Sequence, residues 1–79
     1  GLNMNLTTVT LLNQEPELIL GAYIIKVSGG YNLVIKLRDL PDSAIATSRN
    51  PFSARVFKKI QAASNIAVSL GMHNIEVIL

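Results

Sequence analysis

Apolar residues recur at every second position through most of Glu17 to Leu37, on both sides of Ser28-Gly29-Gly30, and this pattern predicts a β-hairpin. With those three residues as the loop, Val27 stands opposite Tyr31, Ile25 opposite Leu33 and Tyr23 opposite Ile35. Alternation then gathers Tyr23, Ile25, Val27, Tyr31, Leu33, Ile35 and Leu37 on a buried face. Lys26, Asn32 and Lys36 go to a polar face that also carries Ala22, Ile24 and Val34. A two-residue Gly29-Gly30 loop would set Lys26 opposite Leu33 and mix the faces, so the longer loop, with a glycine in the left-handed position, is the expected one.

Upstream, Leu6 to Leu12 is rich in β-branched residues and is closed by Asn13 to Pro16, which predicts a short edge strand. Asp39-Leu40-Pro41-Asp42 reads as a turn. Two readings fit Ala44 to Phe57. Asn50-Pro51 can cap and open a helix running to Leu70. Alternatively, Ala44–Arg49 and Arg55–Phe57 are short strands around a turn, with the helix starting near Lys58. Beyond Lys58 both agree: Val56, Phe57, Ile60, Ala63, Ile66, Ala67 and Leu70 share one helical arc, with Lys58, Gln61, Asn65 and Ser69 opposite. Gly71 supplies the stop, and Asn74 to Leu79 has strand composition with Glu76 fixing the alternation. The expected fold over residues 1–79 is a single small α+β domain. Its sheet is mainly antiparallel, of four or five strands, with one helix packed on one face.

Composition sharpens this picture. The 79-residue chain is 49% hydrophobic and only 15% charged, where about 25% is typical, and its mean hydropathy is +0.39. A core this small rarely stabilises a domain by more than roughly 3–5 kcal/mol, and the chain has no cysteine to form a disulfide. Self-association, as a dimer or larger homo-oligomer, is therefore expected, through a patch formed by Ala22, Ile24 and Val34. The longest apolar stretch, Leu18 to Val27, contains Gly21 and Lys26 and falls short of the ~20 residues of a membrane helix. No membrane association is expected. The N-terminus lacks the basic and apolar runs of a secretory signal, so the expected location is cytoplasmic; Gly1 ahead of Leu2-Asn3-Met4 reads as an expression remnant or a start downstream of the native one.

Catalytic chemistry finds little to work with. One histidine, five carboxylates and no cysteine exclude thiol nucleophiles and leave metal sites short of ligands, so neither a cofactor nor an enzymatic activity is expected. His73 reads as a solvent-exposed or capping residue near the helix end. Gly29-Gly30 lacks the lysine and following helix of a phosphate loop, and no serine sits in a nucleophile elbow.

The basic residues carry the remaining signal. The formal charge is only +2, yet Lys26 and Lys36 share the hairpin's polar face while Arg49, Arg55, Lys58 and Lys59 crowd the segment before the helix. Such clustering suits contact with a phosphate backbone, although a solvated face on an apolar domain uses the same residues. Aromatic interleaving is poor, with Tyr23 and Tyr31 assigned to the buried face and Phe57 to the helix core.

Ile45-Ala46-Thr47-Ser48-Arg49, Arg55-Val56-Phe57-Lys58-Lys59, Ala63, Leu70-Gly71 and Ile75-Glu76-Val77 resemble a pattern in small accessory proteins of bacterial plasmids and integrated mobile elements, some coded beside partition genes. In that pattern an Arg-Val-Phe strand end leads into an alanine-rich helix, a Leu-Gly stop and a final strand. Here Lys59 stands where the pattern has a serine or threonine cap, and the turn after Arg49 is longer. The resemblance favours the strand reading of Arg55–Phe57 and implies a partition- or DNA-associated role. Two functions are thus expected to compete: a DNA-associated interaction module, and a homo-oligomeric assembly subunit that does not touch nucleic acid.

Overall fold

The computed structural model describes residues 3–15, 17–50 and 52–79. Its elements in chain order are β1 (Asn3–Met4), α1 (Leu6–Leu12), β2 (Ile19–Val27), β3 (Gly30–Leu37), β4 (Ser43–Ile45), α2 (Ile60–Ser69) and β5 (Ile75–Ile78). The strands form one sheet in the order β1-β4-β3-β2-β5. The class is α+β as expected, but the sheet is mixed: β2–β3 and β3–β4 are antiparallel, whereas β1–β4 and β2–β5 are parallel. There are also two helices, because Leu6–Leu12 is helical rather than an edge strand. The Asn5 side chain accepts the Thr8 amide at 2.8 Å to cap it, and the i, i+3 spacing of Leu6, Val9 and Leu12 gives one apolar stripe with Val9 fully buried. That stripe and cap outweigh the β preference of three threonines, two of them exposed.

The hairpin forms, with a different register. Val27 pairs with Gly30, Ile25 with Asn32 and Ile24 with Leu33, so the loop is Ser28-Gly29 alone. A one-residue slip turns every side chain of one strand over. The buried face therefore unites Ala22 and Ile24 with Leu33, Ile35 and Leu37, while Tyr23, Ile25 and Val27 join Asn32, Val34 and Lys36 on the other. The reason lies outside the hairpin. A Cβ on Gly30 would stand 2.2 Å from the Phe57 carbonyl oxygen, so this glycine is claimed by a close backbone approach and is not free to turn the loop.

Phe57 belongs to an extended segment that fills the gap where β3 and β4 diverge. Tyr31 and Phe57 exchange both backbone hydrogen bonds, at 2.9 and 2.8 Å, Ala54 bridges Ala46, and the Arg55 amide donates to Ile45. Of the two readings of this region the extended one holds, and α2 begins at Ile60; Pro51 lies outside the described residues. On α2, Ala63 and Ala67 are fully buried, Ile60, Ile66 and Leu70 pack partly buried against the core, and Val56 is exposed. The helix ends as Gly71 predicts: at φ +84° it lets its own amide reach Val68 and that of buried Met72 reach Ala67. Val9 of α1 joins Ala63 and Ala67 in one cluster with the sheet residues, so both helices cover the same face.

Candidate nucleic-acid interface

The hairpin separates charge along its length. At the end where β2 begins and β3 finishes stand Glu15, Glu17, Asp39 and Asp42. Toward the loop end stand Lys26, one residue inside the turn, and the Phe57 segment with Arg55, Lys58 and Lys59. Antiparallel β4 also runs toward the loop end and delivers Arg49 there. The eight residues of β3 put these ends roughly 25 Å apart.

Lys26 and Lys36 do not share a face. Lys26 aligns with Tyr31, whose other neighbour is Phe57, so it joins the Arg55–Lys59 group. Lys36 lies on the opposite face, and its ammonium reaches past Gly21, its partner in register, to Glu76 Oε1 at 3.4 Å. Arg38 is also engaged, its Nε donating to the Glu17 carbonyl at 2.9 Å. Lys26, Arg49, Arg55, Lys58 and Lys59 are all exposed, and none has an ion pair or side-chain hydrogen bond among the described residues.

Local structure sets three of these out on firm supports. Arg55 lays its guanidinium over the Phe57 ring, 4.6 Å from the centroid, with its charge facing water. The Arg49 loop is closed by hydrogen bonds: the Thr47 hydroxyl donates to the Asn50 carbonyl, and the Asn50 side chain accepts the Phe52 amide at 3.0 Å and donates to Ser53. Lys59 occupies the N-cap of α2 without any side-chain cap, and no acidic residue sits in the first turn. The positive end of the helix dipole thus adds to the cations instead of being neutralised. Sequence reasoning passed over Phe52, which this loop holds 91% exposed. The available signal was a phenylalanine beside Asn50-Pro51, where no apolar periodicity asks for one.

The proposed self-association residues fare differently. Ala22 and Ile24 are in the core, 1% and 0% exposed, because the register turns them toward α1 and α2. Val34 lies on the other face of the sheet, beside Ala44 in register, with Tyr23, Ile25, Val27, Lys36 and Ile78, but these neighbours leave it buried, 8% exposed. The Tyr23 hydroxyl donates to Asp42 Oδ2 at 3.3 Å; partial burial, then the charge and hydrogen bond of Asp42, raise its pKa above the ordinary tyrosine value.

His73 is exposed beside a cavity of about 250 Å³ that Asn13, Leu20, Gly21, Met72 and Asn74 also line. Among the described residues, no group of three or more His, Asp or Glu is placed to hold a metal, and no helix is long and apolar enough to cross a membrane. The chain has no significant match to a protein-family model, a curated protein or a solved structure.

Proposed function

We propose that this chain is a non-enzymatic interaction module whose hairpin-loop end contacts nucleic-acid phosphates, in keeping with a DNA-maintenance or partition-associated role on a mobile element. The observation that carries the reading is the sorting of charge. All five cations without a partner among the described residues gather toward one end of the sheet, and four of the five carboxylates stand at the other. A solvating surface needs its charges interspersed; a segregated one steers a polyanion. With no base-reading helix among the described residues, duplex DNA is bound weakly and with little sequence preference. Each phosphate neutralised contributes about −0.9 to the slope of log affinity against log salt, so engagement of four or five cations gives a slope near −3.5 to −4.5. Fluorescence anisotropy should return that slope, and replacing Arg55 and Lys59 together by alanine should make it shallower by about 2. A salt-independent affinity, or no binding of any nucleic acid at low salt, would refute the reading.

A second reading, assembly with another copy, is supported by the uncovered sheet face. The five strands, of two, nine, eight, three and four residues, give that face a footprint of roughly 400 Å², about half the ~800 Å² each partner contributes to a standard interface, which suits a weak association. Half-buried Ile25, Val27 and Ala44 around buried Val34 form its apolar centre, and the Lys36–Glu76 pair flanks it. Sedimentation at micromolar concentration should give about twice the 8.6 kDa chain mass, and Val27→Lys should return the monomer. A wild-type monomer throughout would remove this reading and leave the first untouched.

A further inference from the structure

Resting on the phosphate-contact reading above, we infer that the basic end binds single-stranded nucleic acid in preference to duplex, with Phe52 as the residue on which a base stacks. Phe52 is the most exposed large apolar side chain described, at 91%, in a domain that otherwise has the means to bury aromatics: Phe57 is 4% exposed. Its backbone is held by the bond from its amide to Asn50 and by the Ser53 carbonyl accepting the Thr47 amide at 2.9 Å, so the ring is presented by a fastened loop. Arg49 and Arg55 lie three residues to either side, which limits each Cα to about 11 Å from that of Phe52.

The surroundings decide between partners. An anchor for a protein pocket sits in a well-packed patch whose surrounding contacts exclude water. Phe52 instead has exposed Arg49, Asn50, Ser53 and Arg55 near it in the chain, with half-buried Ala54 between the last two. An exposed ring between two arginines that make no ion pair among the described residues matches a nucleotide, which offers a flat apolar base and a phosphate within one repeat. In a duplex both faces of each base are already stacked, so the ring gains nothing there; an unpaired base offers it a free face.

The experiment compares a fluorescent single-stranded oligothymidylate with a duplex of equal length, using wild-type protein, Phe52→Ala and Phe52→Trp. Wild type should bind the single strand more tightly. Phe52→Ala should weaken single-strand binding roughly 5- to 150-fold, the range for loss of one aromatic–base stack, while leaving duplex affinity and both salt slopes unchanged. Because the chain contains no tryptophan, Phe52→Trp supplies a single emission signal. Single strand should quench it and duplex should not, a readout independent of how the alanine variant behaves. Equal affinity for the two forms, or a Phe52→Ala variant that binds single strand like wild type, overturns the stacking inference and leaves phosphate contact standing. Absence of binding to either form overturns both.

Discussion

Ala67→Asp should leave the chain without a cooperative unfolding transition at 25 °C. Ala67 is 0% exposed in a cluster made wholly of Val, Ala, Ile, Leu, Phe and Met, so the new carboxylate finds neither a cation nor a donor side chain among them. It must enter that cluster charged, at a cost of several kcal/mol, or protonated and still short of hydrogen bonds, in a space that accommodates only a methyl group. Against this stands a total stability of roughly 4–5 kcal/mol for a domain of this size. Ile24→Ala, at another fully buried position, should cost about 2–5 kcal/mol and melt at a much lower temperature than wild type. Half-buried Ile60 sets a lower bound for the series. Circular dichroism melts test the ranking; an Ala67→Asp melt close to wild type would reject the packing of α2 on the sheet.

The second large effect is expected at Gly30. An alanine there would place Cβ 2.2 Å from the Phe57 carbonyl oxygen and 2.9 Å from the Val56 side chain, and the nearer of the two is backbone, which cannot swing aside as the end of a flexible side chain could. The Phe57 segment must move off β3, breaking the paired hydrogen bonds with Tyr31 and carrying Arg55, Lys58 and Lys59 with it. Gly30→Ala should lose about 1–3 kcal/mol of stability and also nucleic-acid affinity, whereas alanine at Gly29, where nothing lies within 4 Å, meets only the backbone penalty of its φ of +88°. Denaturant midpoints and anisotropy on the same two variants separate these cases. Equal effects at the two glycines would show that the approach of Phe57 is not tight.

What could be read from the chain follows the range of the interactions that decide it. The hairpin, α2, the Leu70-Gly71 stop and the final strand depend on neighbours in sequence, and the apolar spacing declared each of them. The hairpin register did not, because it turns on a contact between Gly30 and Phe57, far apart in the chain. Ala22 and Ile24 were consequently placed on the wrong face, and Lys26 was grouped with Lys36 when its neighbours are Tyr31 and the Phe57 segment. The helix at Leu6–Leu12 was hidden by its threonines; Asn5, three residues before Thr8, was the legible cap. The parallel edges left no local mark at all. Arg49, Arg55, Lys58 and Lys59 were recognisable as a cluster because they lie close in sequence, but the acidic pole opposite them emerges only once β2 and β3 lie side by side.

The topology also sets an order in time. Residues on either side of Ser28-Gly29 meet by closing a short loop, an event of microseconds, and the five-strand order places this hairpin at the centre of the sheet. Each parallel edge instead joins distant segments, Asn3 with Ala44 and Ala22 with Ile75, and must await the chain between them. The Phe57 segment, lodged between β3 and β4, also closes a long loop back onto Tyr31 of the hairpin. The basic pole is therefore split by contact range: Lys26 belongs to the locally closed hairpin, whereas its arginines depend on contacts between segments distant in the chain.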